Sequence, residues 1–455
     1  MDTIVAISTA PGVGGIGIVR MSGEESFNIL NKFFIAKNKQ KIEDIKGYTI
    51  KYGNIMDENN EIIDEVLVSY FKNPKSYTTE NMCEINSHGG SVILNKILDI
   101  CLKNGAKLAE PGEFTKRAFL NGRIDLAQAE AVIDVINAKT DKEAKVSMEQ
   151  LEGNLSRKIT DIRNDILDIL SDIEANIDYP EYDVEETSVR RVSEFLNKIE
   201  NKLNSLVKSF DNGKILREGV LAAIIGRPNA GKSSLLNLIL NEERALVTDI
   251  EGTTRDTIEE FISVDGIPLK IIDTAGIRDT SDKVEKIGVE KALEIAEKSD
   301  VVIGIFDVNR ELNDEDEKIL NLMKEKNAII ILNKMDLNNK INLEKINELN
   351  KPIIKMSIKN GDGLNELYAE ISKLFKLKEI ASTGEVIVSN NRHKYLIKKA
   401  LENVNACKET VKNNLPIDMI SGYIKEILND LGEITGDVST DDILNKIFSK
   451  FCLGK

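Results

Sequence analysis

Histidine is almost absent: the 455 residues include two, His88 and His393, far apart in the chain. That argues against a His-rich metal site and gives no support to a Ser–His–Asp hydrolase. Cysteine is scarce as well. Cys83, Cys101, Cys407 and Cys452 show no metal-ligand spacing and no secretory context, so they read as reduced thiols of a cytoplasmic protein. No apolar run approaches the length that spans a bilayer, so no membrane segment is expected. The chain opens on Met1-Asp2 and not on a basic stretch, so no signal peptide is read there. Positive charge is in deficit: 61 Lys and Arg stand against 76 Asp and Glu, a formal net charge of −15. Such a chain binds RNA only through a local basic patch.

The remaining composition, 41% hydrophobic and 30% charged, is that of a globular protein, and the length suggests two to four domains. One stretch organises the rest. Gly226-Arg227-Pro228-Asn229-Ala230-Gly231-Lys232-Ser233 fits G-x-x-x-x-G-K-[ST]. The apolar run Val220–Ile225 precedes it as a buried strand, and Ser234–Leu240 follows it as a helix. A strand, a tight glycine loop and a helix N-terminus aim backbone N–H groups and a positive dipole end at phosphate. Lys232 would reach the β- and γ-phosphates, and Ser233 would ligate Mg²⁺.

Further motifs follow in order. Asp273-Thr274-Ala275-Gly276 closes the strand Leu269–Ile272: Asp273 would hold Mg²⁺ through water, and the Gly276 N–H would sense the γ-phosphate. Asp265-Gly266 reads as a hairpin turn joining that strand to Thr257–Val264, which gives a mostly parallel sheet with one antiparallel strand. Asn333-Lys334-Met335-Asp336 follows the strand Ala328–Leu332. The Asp336 carboxylate matches guanine N1–H and N2–H₂, whereas adenine would leave it unpaired. Ser357-Ile358-Lys359 would back up the base. Thr248-Asp249-Ile250-Glu251-Gly252-Thr253-Thr254-Arg255-Asp256 forms the natural switch segment, with Thr254 completing the Mg²⁺ shell. Together these predict a guanine-nucleotide site. After Gly276 stands Ile277, which cannot orient an attacking water as a glutamine does; the acids downstream are Asp279, Asp282 and Glu285.

Around this domain the chain changes character. Residues 1–120 read as mixed strand and helix. Their Gly12-x-Gly14-x-x-Gly17 is discounted as a dinucleotide fingerprint because it leads into a strand. Pro111 reads as a first-turn proline and Gly122 as a stop. Ile159, Ile162, Ile166, Ile169, Ile173 and Ile177 form an apolar stripe on a long helix that Tyr179-Pro180 ends. Val192, Phe195, Ile199, Leu203, Leu206 and Phe210 form another, which Gly213 would end. Helical periodicity returns after residue 379, and Ser439 reads as the cap of a helix Asp441–Phe451. An α/β unit flanked by helices suggests an insertion into a helical domain. The divisions are 1–120, 121–213, 214–379 and 380–455.

With these motifs the chain resembles the MnmE (TrmE) family of tRNA-modification GTPases over nearly its whole length. The residues that carry it are Gly226–Ser233 with Asn229, Thr253-Thr254-Arg255-Asp256, Asp273–Gly276 followed by Asp282-Lys283-Val284-Glu285, Pro111–Phe119, Arg123–Glu130 and the tail Phe451-Cys452-Leu453-Gly454-Lys455. The tail with the N-terminal unit is the specific part, and many GTPases share the rest. The resemblance implies an N-terminal α+β folate-binding-like domain, a helical domain and an inserted Ras-like P-loop domain on a six-stranded sheet. It implies GTP, Mg²⁺ and K⁺, and a 5-formyl- or methylene-tetrahydrofolate as one-carbon donor. It implies a homodimer that acts with an FAD-carrying partner, GidA (MnmG), to modify C5 of the tRNA wobble uridine. By motif match Asn229, Thr248, Ile250 and Thr253 would surround K⁺, and Ala230, Gly231, Ser234, Asp249, Glu251 and Gly252 would line the nucleotide. Glu285 would position the attacking water, Arg20, Glu84, Arg123 and Lys455 would bind folate, and Cys452 would serve modification. Departures are few: Val13 stands where the family often has Arg, Arg123 where Lys occurs, and Leu453 for Ile. Two other functions stay open. A ribosome-assembly GTPase should carry a basic RNA-binding appendage, which this acidic chain lacks. A stand-alone folate-dependent methyltransferase would need no flavoprotein.

Overall fold

The structure, a computed structural model, describes residues 1–37, 47–178, 185–241, 245–246, 259–272, 294–375, 386–413, 415 and 417–455. Two units are distinguished: Met1–Ile133, Gln150–Arg163 and Leu428–Lys455 form the first, Asp134–Glu149 and Asn164–Ile427 the second. No helix among the described residues is long and apolar enough to cross a membrane.

The first unit is built on β1 (Ile4–Ile7), β2 (Gly14–Ser22), β3 (Phe34–Ala36), β4 (Thr49–Met56), β5 (Ile62–Phe71), β6 (Met82–Gly89) and β7 (Lys107–Leu108). Their order among the described residues is β3-β4-β5-β6-β2-β1-β7, antiparallel except for β1 with β7. Strand alternation sends Val66, Val68 and Tyr70 of β5 inward and leaves Glu65 and Leu67 outside. The helix Ser91–Lys103 covers the inner face with Leu94, Ile97, Ile100 and Cys101, one side of a 3.6-residue repeat. The glycine-rich stretch enters β2 and opens no helix, as its rejection as a dinucleotide fingerprint requires.

Two helix ends here differ from the sequence reading. The helix after Pro111 begins at Glu113, behind a left-handed Gly112, so the proline lies outside its first turn. The last helix is Asp441–Phe448 with Thr440 at its N-cap; the Ser439 hydroxyl donates instead to the Gly436 carbonyl at 3.3 Å.

The second unit holds β8 (Val220–Gly226), β9 (Ala245–Leu246), β10 (Glu259–Val264), β11 (Ile267–Ile272), β12 (Val301–Asp307), β13 (Ala328–Asn333) and β14 (Ile353–Lys355), in the order β14-β13-β12-β8-β11-β10-β9. The described sheet thus has seven strands instead of six. The extra one, β9, is two residues long and pairs antiparallel with β10, too short to leave a periodic signature. The other antiparallel pair is the β10–β11 hairpin; the remaining pairings are parallel. Both faces are buried by alternation: Ala222, Ile224, Ile303 and Ile305 join one core, Ala223, Ile225, Val302 and Phe306 the other.

The long helices carry the expected stripes. Ile159, Ile162, Ile166, Ile169 and Ile173 of the helix Asn154–Asp178 are buried. On the helix Glu185–Glu218 the stripe runs through Leu196, with Phe195 beside it, and the helix continues past Gly213. A Cβ at Gly213 would lie 2.2 Å from the Val388 carbonyl oxygen, so this glycine serves a close backbone approach and not a helix stop. The helix Asn391–Lys412 lies on the same helix through Lys408–Glu200, Lys394–Asp211 and Asn391–Glu218 contacts. Within the second unit, then, the helices that flank the sheet in sequence pack on one another.

Candidate functional site

Strand β8 ends at Gly226 and the chain turns through Asn229, at φ 62°, and Gly231, at φ 114°, into the helix Lys232–Asn241. A Cβ at Gly231 would stand 2.4 Å from the Asn333 side-chain nitrogen, so the loop closes only around glycine. Lys232 Nζ donates to the carbonyls of Gly226 (2.7 Å) and Arg227 (2.9 Å), which holds the ammonium over the loop. Ser233 and Ser234 are exposed in the first turn, where the helix N–H groups are free of intrahelical acceptors. Arg227 leans away to Asp316 (3.4 Å) and Glu315 (3.7 Å). Burial raises the Asp316 carboxyl above its ordinary range, against the lowering effects of the Asn313 N–H and Arg227.

The Asn333–Asp336 loop begins where β13 ends. The buried Asn333 is a staple: its Nδ2 donates to the Ala230 carbonyl (2.8 Å) and its Oδ1 accepts from the Ile358 N–H (3.1 Å). One amide therefore ties the Gly226–Ser233 loop to the Ser357-Ile358-Lys359 turn. Ser357 Oγ donates to the exposed Asp336 carboxylate at 2.9 Å. Lys334, at φ 67°, donates its ammonium to Asp307 Oδ2 at 2.6 Å. Burial pushes the Asp307 carboxyl up, yet the Lys334 hydrogen bond, the Asn309 N–H and the charges of Lys334 and Arg310 together hold it below its ordinary value. Thus Asn229, Ala230, Gly231, Asn333, Lys334, Asp336, Ser357, Ile358 and Lys359 lie on three loops at the C-terminal ends of β8, β13 and β14, with Lys232 and Ser233 in the helix turn that follows the first. That edge of a parallel sheet is where such folds bind ligands. Thr248, Asp249, Ile250, Glu251, Gly252, Thr253, Thr254, Asp273, Thr274, Ala275, Gly276 and Glu285 lie outside the described residues.

A second constellation lies in the first unit. Arg20 on β2 and Glu84 on β6 are register partners, joined at 2.8–2.9 Å. Arg20 Nη1 also donates to the Gly454 carbonyl (3.1 Å), which Ser8 Oγ bonds as well (3.0 Å). Two guanidinium groups stand near the Tyr77 ring, Arg20 at 5.6 Å and Arg123 at 4.5 Å from its centre. Phe114 lies 5.7 Å from Arg20. Packing of Phe448 and Phe451 among Ala118, Ile124 and Leu126 anchors the tail. Cys452 accepts the Gly112 N–H at its carbonyl (3.4 Å) and keeps an exposed thiol. The other three thiols are buried, and burial pushes those of Cys101 and Cys407 up to about 12. Arg20, Glu84, Arg123 and the residue before Lys455 are thus brought to one place. The sequence reading missed Tyr77, Ser8 and Phe114 here, and Asp307 in the second unit. The available signal for Asp307 was an acid closing an apolar strand next to the one that ends in Asn333.

Comparison with known proteins bears on the family of the chain. Residues 3–123 match the family described as "GTP-binding protein TrmE N-terminus", and residues 126–452 match the MnmE helical domain. The tRNA modification GTPase MnmE of Acetivibrio thermocellus is 49% identical over 457 residues, covering 100% of this chain and 99% of that protein. Those of Clostridioides difficile and Alkaliphilus oremlandii are 48% and 46% identical, each also covering 100% of this chain and 99% of the relative. A solved FeoB G domain from Methanococcus jannaschii aligns with 34% of this chain and 97% of its own at 26% identity, with a TM-score of 0.26. With both family matches in their places and relatives aligned from end to end, the chain belongs to the MnmE (TrmE) family of tRNA modification GTPases.

Proposed function

We propose that this cytoplasmic chain, as a homodimer with an FAD-carrying GidA (MnmG) partner, adds a carboxymethylaminomethyl-type group to C5 of the tRNA wobble uridine. Its one-carbon donor is a 5-formyl- or methylene-tetrahydrofolate held in the N-terminal domain. The observation that carries this reading is the convergence of Arg20, Glu84, the Arg123–Tyr77 stack and the Gly454 carbonyl, because it joins the family's tail to the residues assigned to folate. Paired charges beside aromatic rings suit a flat heterocycle with donors and acceptors on its edge and a carboxylate at its end. The exposed Cys452 thiol is two residues from that carbonyl.

For GTP, the loop Asn229–Ser234 cradles the phosphates and Asp336 with Ser357–Lys359 reads guanine. Ser233 and Thr254 hold Mg²⁺, and Asp273–Gly276 with Thr248–Thr254 sense the γ-phosphate. Bound Mg²⁺ supplies charge neutralisation on the phosphate oxygens. The fit rests on Ser233, an exposed hydroxyl in a helix first turn; no cluster of acids or histidines among the described residues offers the ion another home. Asn229, exposed in the left-handed region, carries a hard amide oxygen suited to K⁺, with Thr248, Ile250 and Thr253 completing that shell. Glu285 orients water in place of the residue missing at Ile277. Support for the homodimer comes from the outer face of the N-terminal sheet, where Ile50, Tyr52 and Leu67 stand exposed on paired strands. The domain division of the proposal is 1–120, 121–213, 214–379 and 380–455.

Calorimetry with 5-formyltetrahydrofolate on the full chain tests the folate site. Arg20→Ala should lose folate binding at least tenfold, as expected for a charge-assisted contact, while GDP affinity stays unchanged. Equal folate affinity of Arg20→Ala and the parent would contradict the assignment.

A further inference from the structure

Asp307 closes β12 as the register partner of Asn333, the residue that opens the base-reading loop. Its side chain is 9% exposed and is fastened from several directions. The Asn309 N–H donates to Oδ1 at 3.0 Å, Lys334 Nζ to Oδ2 at 2.6 Å, and Arg310 Nε stands 3.6 Å from Oδ2. Lys334, next in chain to Asn333, takes φ 67° and sends its ammonium to this carboxylate. Its side chain is 30% exposed, so the pair is neither free in solvent nor sealed in the core. A lysine whose ammonium is pinned presents its four methylenes as a fixed apolar edge; an unpinned one spreads over many rotamers, which binding must then freeze. That edge lies in the loop that also carries Asp336.

We propose that Asp307 is a positioning residue for guanine binding: it pins the Lys334 ammonium and so pre-organises the lysine stem as the apolar wall against one face of the base. Asp307 itself touches no nucleotide. The proposal rests on the reading of Asn333–Asp336 as the base loop, and it divides that loop's work. Asp336, steadied by Ser357, reads the edge of the base; Lys334, steadied by Asp307, supports its face. The cost of losing Asp307 is therefore paid in affinity for any purine nucleotide, while the preference for guanine over adenine stays.

A double-mutant cycle on the full chain, read as affinity for fluorescent mant-GDP and mant-ADP, tests this. Asp307→Asn keeps the shape and the capacity to accept from Asn309, and it removes the charge that pins Lys334. Asp307→Asn and Lys334→Met should each weaken mant-GDP about tenfold, and the double variant should be no weaker than Lys334→Met alone. Asp307→Glu should retain affinity within about threefold, and the GDP-to-ADP preference of Asp307→Asn should equal that of the parent. Unchanged mant-GDP affinity in Asp307→Asn would overturn the proposal, as would losses that multiply to about a hundredfold in the double variant. If Lys334→Met binds as the parent does, the lysine stem supports no base and the proposal is overturned; the base-loop reading itself fails if Asp336→Ala leaves both mant-GDP affinity and the GDP-to-ADP preference unchanged. Should Asp307→Asn not fold, Lys334→Arg decides: it keeps the pair with Asp307 and should bind much closer to the parent than Lys334→Met, and equal loss in the two would overturn the pinning role.

Discussion

Glu143 shows how a single buried acid turns into a pH-dependent stability. It is 5% exposed. Burial pushes its carboxyl up to about 7, against the lowering effects of the Lys139 N–H and charge, with nearby Asp134 raising it further. The folded value lies above the ordinary 4.5. Its contribution to stability is thus full below the unfolded value and lost as pH rises through about 7. Glu143→Gln removes that loss. The variant should exceed the parent in stability by on the order of 1–3 kcal/mol at pH 8, and the gap should shrink steadily towards pH 4.5. Urea unfolding at the two pH values measures it; a gap that does not change with pH would contradict the account. At this scale the sequence was legible where function fixes local spacing, as at Gly231-Lys232-Ser233. It was not legible at Asp307 or Tyr77, whose roles arise from strand register and from an arginine stack between residues far apart in sequence.

At the scale of elements, hydrophobic periodicity located the strands it identified to within a few residues, because a half-buried element must repeat at 2 or 3.6, but it left β3, β4 and β12 unread. It could not tell why a glycine is present. Gly213 was read as a stop, yet it lies inside the helix Glu185–Glu218 where residue 388 crosses, its N–H donating to Ser209 Oγ at 3.1 Å. Two effects oppose each other in Gly213→Ala. Helix propensity favours alanine by about 1 kcal/mol. A Cβ at 2.2 Å from a backbone oxygen forces the two segments apart, an overpacking cost of roughly 1–3 kcal/mol. The net expectation is destabilisation by about 1–2 kcal/mol, seen as a lower urea midpoint at unchanged slope. A raised midpoint would show that the 386–390 segment yields freely. Long-range packing of this kind also joins the first turn of the helix Asp141–Leu151 to the β10–β11 hairpin. Lys142 Nζ donates to the Asp265 carbonyl (2.5 Å) and Lys139 sits 3.0 Å from the Phe261 ring centre. No sequence pattern announces either contact.

At the scale of the whole chain, the order of motifs was more informative than any single one. Helical stretches before and after an α/β unit suggested an insertion, and helices Glu185–Glu218 and Asn391–Lys412 do pack on each other across the interval that holds the seven-stranded sheet. Residues 3–123 match the family's N-terminal region, and in the structure Ser8 and Arg20 bond the tail at Gly454. The proposed wobble-uridine function is tested most directly in cells lacking the protein, by mass spectrometry of the wobble-uridine nucleosides of their tRNA. The C5 side chain should be gone and should return when the intact chain is restored. Wobble uridines carrying the full C5 side chain in those cells would contradict the account.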